Sequence, residues 1–494
     1  MPRFGWRLIL LTDGHFDIFR PIGLGLIFNN MLEHLLRGQF DVDPQVIGIE
    51  AFIRDGRTYT YFGIFPALLR LPLVAASRLH DVDMTVASVW VAASLSWLFR
   101  LLAIRLILSH APEKAISTFL AAVLVVAFAL QGESIQFLRP SIFQETIQWA
   151  AALASLFVFL VVRLVTQGGS SGFVVSPLVA AVAGLALLAR VSTGLGLYTA
   201  IGLILVVDVT KGNSNARTTD HAGRWWLSSF WQRTVSVVCS PRFVTVSLIL
   251  IFFVLCVGIV NYGRWGNALT FADLHSYKIA LEESSLDRLS RLERYGEFNF
   301  VRLPWGAQYY FLPLWVLPVH DGGYLFEAAQ RRLVDAAELP PGTFVLSDPV
   351  VIILGIAFVY LAARDGRRTD LDMPYSLAAM TGLAVPALLM LIAISTTFRY
   401  RMEFYPLFNL AAFLGLLLIV RDRALQRHAW LNAFIVSAII LGIVVAHLSL
   451  ALYKVSPVGP AWNLDLSQGW SGLLARQVMT TYPSRGWLFS GSTH

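Results

Sequence analysis

Long apolar runs separated by short charged turns set the pattern of this chain. A helix needs about 20 apolar residues to cross a bilayer. Ten runs of roughly that kind stand out: 83–106, 114–132, 143–165, 172–190, 191–208, 243–262, 347–363, 375–395, 403–421 and 430–453. In lipid only a helix or a closed barrel satisfies every backbone polar group, and runs this continuous read as helices. The pattern therefore predicts an all-α integral membrane bundle of about 10–11 transmembrane helices, the extra one being residues 1–12 entering from the cytoplasm. Residues 1–453 form one membrane domain, and 454–494 an aqueous tail on the outer side.

Two stretches break the pattern. In 24–37, Leu24, Ile27, Phe28, Met31, Leu32 and Leu35 recur at helical spacing, and Asn29, Asn30, Glu33, His34 and Arg37 take the other face. Gly38 supplies a C-cap, so this reads as an amphipathic helix lying flat on the membrane. Residues 59–79 are apolar, but Pro66, Arg70, Pro72 and Arg78 interrupt them. They read as a helix in the outer interface.

Composition narrows the class. Of 494 residues 56% are hydrophobic and 14% charged, against about 25% charged in soluble domains. The net charge of +7 comes mainly from short turns and not from a nucleic-acid-binding face. Arg100, Arg105 and Lys114 flank one turn. Lys211, Arg217, Arg224, Arg233 and Arg242 fill a longer loop, and Arg364, Arg367, Arg368, Arg421, Arg423 and Arg427 fill two more. If each run crosses once, all four fall on one side, which the positive-inside rule makes cytoplasmic. Cys239 and Cys256 have no disulfide or metal-ligand spacing.

The opposite side then carries the chemistry: residues 13–82, the turn 133–142, the Arg190 turn, the loop 263–346 and the turn 396–402. Span interiors read as nearly free of charge, and the exceptions, Glu145, Arg190, Arg399, Arg401 and Glu403, gather at outer ends. A proton-coupled transporter would place carboxylates near the midplane. A surface apparatus suits an enzyme acting on an amphipathic lipid. Asp13 and Asp17 follow the first helix, where either a helix cap or a general base for an acceptor hydroxyl would stand. Arg20, Arg190, Arg399 and Arg401 are either interfacial anchors or the cations for a departing phosphate. A divalent metal ion could use oxygens of Asp13, Asp17 and Glu145. Trp265, Tyr277, Trp305, Tyr309 and Tyr310 would anchor the outer loop at the interface or stack on sugars.

Three stretches carry a family resemblance. The first runs from Asp13 through Leu35-Leu36-Arg37-Gly38 and Asp55-Gly56-Arg57-Thr58-Tyr59 to a helix opened by Pro66. The second is the outer turn with Glu145. The third is Arg399-Tyr400-Arg401-Met402-Glu403-Phe404-Tyr405-Pro406. Together they resemble the GT-C superfamily of membrane glycosyltransferases, which includes dolichyl-phosphate-mannose protein mannosyltransferases and lipid A aminoarabinose transferases. Leu188-Ala189-Arg190-Val191-Ser192 and Asn261-Tyr262-Gly263-Arg264-Trp265-Gly266 look like stretches of further members.

The resemblance implies inverting transfer of a sugar from a polyprenyl-phosphate donor to a glycan, lipid or protein acceptor. The site would face the exterior of a cytoplasmic membrane, with membrane lipids as surroundings. Asp17 or Asp13 would be the catalytic acid, and Arg20, Glu145, Arg190, Arg399, Arg401 and Tyr59 would hold donor and acceptor. Many relatives have Lys-Pro-Pro where this chain has Gly63-Ile64-Phe65-Pro66, so a phosphate contact must come from elsewhere. A lipid flippase would instead need a path through the bundle, and a non-catalytic assembly subunit would lack a cavity around the outer acids.

The charge pattern makes a topological prediction. In a background without Cys239 and Cys256, a cysteine at Gly366 should react with an impermeant maleimide only after the cells are opened. A cysteine at Asn267 should react on intact cells. The reverse labelling would invert the orientation.

Overall fold

The computed structural model describes residues 2–110, 118–166, 176–214, 235, 241–278, 286–312, 332–334, 336–337, 340–365, 371–421 and 429–455. The tail beyond 455 and most of the predicted cytoplasmic loops lie outside these residues. Helix α1 is Pro2–Thr12 and α2 is Ile27–Leu36. The bundle continues with α3 (Thr85–Ser109), α4 (Thr118–Leu130), α5 (Ile142–Thr166), α6 (Pro177–Ala189), α7 (Val191–Ser214) and α8 (Pro241–Trp265). The long outer segment contributes α9 (Leu286–Tyr295) and α10 (Leu303–Phe311). Then come α11 (Pro349–Asp365), α12 (Met373–Ile392), α13 (Tyr405–Arg421) and α14 (Ala429–Val455).

Each of the ten apolar runs becomes one of these helices. By length and composition six can cross a membrane: α3, α5, α7, α8, α12 and α14. The shorter apolar helices α6, α11 and α13 pack among them. The chain is a multi-pass, all-α membrane protein. Its core is an aliphatic and aromatic cluster that includes Phe157, Val161, Leu197, Leu354, Phe413 and Leu417. Helix α8 packs on α6 but leaves Leu248, Ile251, Phe252, Leu255 and Ile259 exposed, as a lipid-facing helix does.

The segments predicted on the outer side meet at one end of the bundle. The first forms a hairpin, with strand β1 (Phe52–Arg54) antiparallel to β2 (Arg57–Tyr59). Its two-residue turn is Asp55-Gly56, with φ of 51° and 73°, the left-handed pair that Asp-Gly supplies cheaply. After it the chain makes two one-turn helices, Phe65–Leu68 and Leu71–Ala75, in place of one span, as the prolines require. Gly63 sits close against the turn after α6: a Cβ there would stand 2.2 Å from the Leu188 carbonyl oxygen.

Three expectations are corrected. Asn29 and Asn30 are not on a solvated face of α2 but buried. Asn29 Nδ2 donates to the carbonyls of Leu79 and Val82, at 2.7 and 2.8 Å, and Asn30 Nδ2 donates to Asp43 at 2.7 Å. These bonds fasten α2 into the outer segment. Arg100 does not flank a cytoplasmic turn. It lies inside α3, nearly fully buried, with Nη1 3.1 Å from Glu133 Oε2. The span interiors are therefore not clean, because 131–138 fold into the bundle and are all buried. Glu133 there also accepts from Ser96 Oγ at 3.1 Å and Asn409 Nδ2 at 2.8 Å. The aromatic expectation also changes. Tyr309 and Tyr310 are fully buried in a core cluster, and Trp265 packs against Phe52 and Tyr59.

Glu145 shows how the outer segment is held. Arg70 forks both its terminal nitrogens onto the Glu145 carboxylate, one of them at 2.8 Å, and both side chains have no exposure. Arg70 Nε also donates to Asn29 Oδ1 at 3.3 Å. Removing one member of a buried pair costs about 3–5 kcal/mol, because the other charge is left unpaired. Glu145→Leu alone should lower the thermal midpoint of the detergent-solubilised protein sharply. Arg70→Met with Glu145→Leu should recover most of the loss. A single variant as stable as wild type would show the pair to be dispensable.

Candidate functional site

The third motif separates three charges by a turn of 3-10 helix, Phe398–Glu403. Glu403 points to the turn between α6 and α7. There Arg190, in extended conformation at φ −156°, reverses the chain and donates Nε to the Glu403 carboxylate. Ser192 Oγ and Thr193 Oγ1 donate to the same carboxylate, each at 2.8 Å. Arg401 points the other way, fully buried, with Nη2 3.1 Å from Asp348 Oδ2 and 2.7 Å from Ser347 Oγ. Its guanidinium lies 4.1 Å from the centre of the Phe344 ring. Arg399 takes the third direction, 4.2 Å over the ring of Phe143.

Arg399 and Arg190 line a cavity of about 630 Å³ at the end of the bundle where the segments predicted to be outer meet. Its apolar wall comes from α6, α7, α8 and α12, through Leu187, Leu188, Leu195, Val257, Val260 and Leu389. Its polar wall holds Tyr61, Asn261, Arg264, Glu297 and Tyr400 with the two arginines. Gly63 and Ile64 line it as well. Burial pushes the Tyr61 phenol above its ordinary pKa, opposed by the nearby Arg399 charge.

Arg264 is the residue that sequence reasoning passed over as a site. It is 3% exposed, in the last turn of α8. Nη1 donates to the Phe62 carbonyl at 2.9 Å, and Nη2 approaches the Met31 sulfur at 3.6 Å. Its Nε is buried with no hydrogen-bond partner, and no carboxylate among the described residues lies within ion-pair distance. A buried charge without a counterion is expensive, which makes Arg264 a candidate for binding an anion. The one hint in the sequence was its place in Asn261-Tyr262-Gly263-Arg264-Trp265-Gly266.

The other expected site residues are placed apart. Asp13, with φ 56°, is exposed and held by Lys454 Nζ at 2.5 Å and Arg20 Nη2 at 3.8 Å. Asp17 is exposed and accepts from the Phe19 N–H at 3.0 Å. Neither lines the cavity, nor do Arg20, Arg401, Glu145 and Tyr59. Tyr59 packs its ring 6.1 Å from that of Trp265. With Glu145 locked to Arg70, it does not join Asp13 and Asp17 around a metal. No group of three His, Cys, Asp or Glu that could hold a metal occurs among the described residues.

No family model matches the chain, and no curated protein matches it. Among solved structures it is similar to the oligosaccharyltransferase of Archaeoglobus fulgidus. For the complex with an inhibitory peptide and a dolichol-phosphate the TM-score is 0.45 at 15% identity, covering 93% of this chain and 56% of that one. For the apo form it is 0.44 at 14%, covering 91% and 55%. For the form tethered to an acceptor peptide it is 0.43 at 14%, covering 98% and 59%. This chain thus spans a little over half the length of those structures.

The arginines make opposite predictions. Arg401→Leu leaves Asp348 buried and unpaired and should destabilise strongly. Arg264→Met removes a charge with no counterion and should leave the thermal midpoint equal or higher. A fall at Arg264→Met as large as that at Arg401→Leu would mean that Arg264 serves the fold.

Proposed function

We propose that this protein is a membrane glycosyltransferase that takes a sugar from a polyprenyl-phosphate donor. Arg264 carries the proposal: a buried arginine without a counterion, on the wall of a large amphipathic cavity. The chemistry that completes such a site is an anion attached to an apolar tail. A lipid phosphate supplies both. Its oxygens fit Arg264, Arg190 and Arg399, and its prenyl chain fits the wall of Leu187, Leu188, Val257 and Val260. Preorganised cations stabilise the charge that grows on a departing phosphate, which is where transfer chemistry needs them. Donor and acceptor meet at the outer face of a cytoplasmic membrane in this reading, and a single displacement inverts the sugar carbon. The acceptor is a glycan, lipid or protein.

A flippase is the second reading, and the buried pair Arg100–Glu133 favours it, since charge inside a bundle often marks a path. That pair is saturated by Ser96 and Asn409. The cavity beside it measures about 10 Å³, room for a single water. The large cavity suits a bound lipid head better than a conduit.

The test is incubation of purified protein in nanodiscs with radiolabelled undecaprenyl- and decaprenyl-phosphate sugars plus membrane extract. Label should move into a new product. Arg264→Met and Arg399→Ala should each cut transfer at least tenfold while the fold is kept. Lipid sugars that cross a proteoliposome bilayer with no label transferred would replace the enzyme with the flippase.

A further inference from the structure

Transfer to a hydroxyl needs a base at the reacting centre, and among the described residues the cavity offers one carboxylate. Among the described residues that line it, Glu297 is the sole Asp or Glu. Its place is fixed by backbone bonds. The Ile394 N–H donates to the Glu297 carbonyl at 2.8 Å, the Asn299 N–H donates to the Ile392 carbonyl at 2.9 Å, and Phe298 bridges Ala393. Arg302 Nη1 adds a bond to the Glu297 carbonyl at 3.1 Å. These bonds tie the outer segment to the chain that leads from α12 into the Arg399 motif. The backbone is thereby committed and the side chain is not: among the described residues no group hydrogen-bonds or ion-pairs with the Glu297 carboxylate.

We propose that Glu297 is the general base of the transfer, removing the proton of an acceptor hydroxyl. This rests on the donor site proposed above. The acceptor oxygen forms a bond to the anomeric carbon. The bond from that carbon to the phosphate oxygen breaks, and its electron pair leaves with the lipid phosphate. The proton ends on the Glu297 carboxylate. Burial raises the Glu297 pKa above the usual carboxylate range, Asp273 adds to this and His275 opposes it. Such a shift brings a carboxylate closer to the working pH of a base. Arg190, Arg264 and Arg399 line the same cavity, and Arg302 bonds the Glu297 carbonyl from behind the backbone.

Three measurements on the nanodisc protein test this: binding of undecaprenyl phosphate, transfer of label from the donors above, and the pH profile of kcat. Glu297→Gln should bind undecaprenyl phosphate within about threefold of wild type, with KM similarly preserved. Its kcat should fall by about 10²–10⁴-fold, the usual contribution of a general base. Its rate should also lose the rise with pH that wild type shows as the carboxylate ionises. Glu297→Asp should restore part of kcat. Transfer retained by Glu297→Gln would overturn the base and leave the donor site standing. So would transfer lost in an Asp13→Asn/Asp17→Asn variant but kept in Glu297→Gln, which would return the base to the first outer loop. Wild-type protein that binds undecaprenyl phosphate yet transfers no label would also overturn it. Wild-type protein that does neither would remove the donor site and the base together.

Discussion

A charge inside lipid must be neutralised where it stands, and this requirement organises the molecule. Four carboxylate–guanidinium pairs, the buried Arg70–Glu145, Arg100–Glu133 and Arg401–Asp348 and the part-buried Arg190–Glu403, each join separate parts of the chain. The first fixes the outer segment on α5. The second draws the segment after α4 into the bundle. The third holds the α6–α7 turn against the approach to α13, and the fourth anchors that approach from behind. Hydrophobic contact alone could not set these registers, because apolar faces slide at little cost and bidentate charges do not. Against this order Arg264 stands out. Unlike these four arginines, it has no carboxylate partner among the described residues.

The arrangement also divides one short motif by task. Arg401 turns inward and is spent on structure, whereas Arg399 faces the cavity. Arg190 serves both, since it is tied to Glu403 and still lines the cavity wall. Position in the motif did not reveal this division. Only the placement of Asp348, about fifty residues upstream, decides which arginine is consumed.

The helices were readable because hydropathy is local. Ten apolar runs gave ten helices, and the prolines at 66 and 72 correctly argued against an eleventh. Partners were not readable, because pairing is a property of the folded bundle. Arg100 looked like a flanking charge because it lies nine residues before the end of α3, and Glu133 looked like a residue of an exposed turn. Asn29 looked solvated for want of any sign that the Leu79 and Val82 carbonyls would need its amide. Arg264 and Glu297 were visible as residues, but nothing nearby in sequence marks a missing counterion or an acid on a cavity wall. The acids after α1 drew attention by position, and in the structure one of them, Asp13, pairs with Lys454.

The 3-10 turn at Phe398–Glu403 has a consequence for how this chain can change over time. With about three residues per turn, positions two apart diverge by roughly 240°, so Arg399, Arg401 and Glu403 address three separate surroundings. Inserting or deleting one residue there would rotate all three at once, burying one charge without its partner and sending another into hydrocarbon. Single exchanges inside the segment can be absorbed by one neighbour. A change of length cannot, which makes these six residues a fixed spacer even if the loops on either side vary freely.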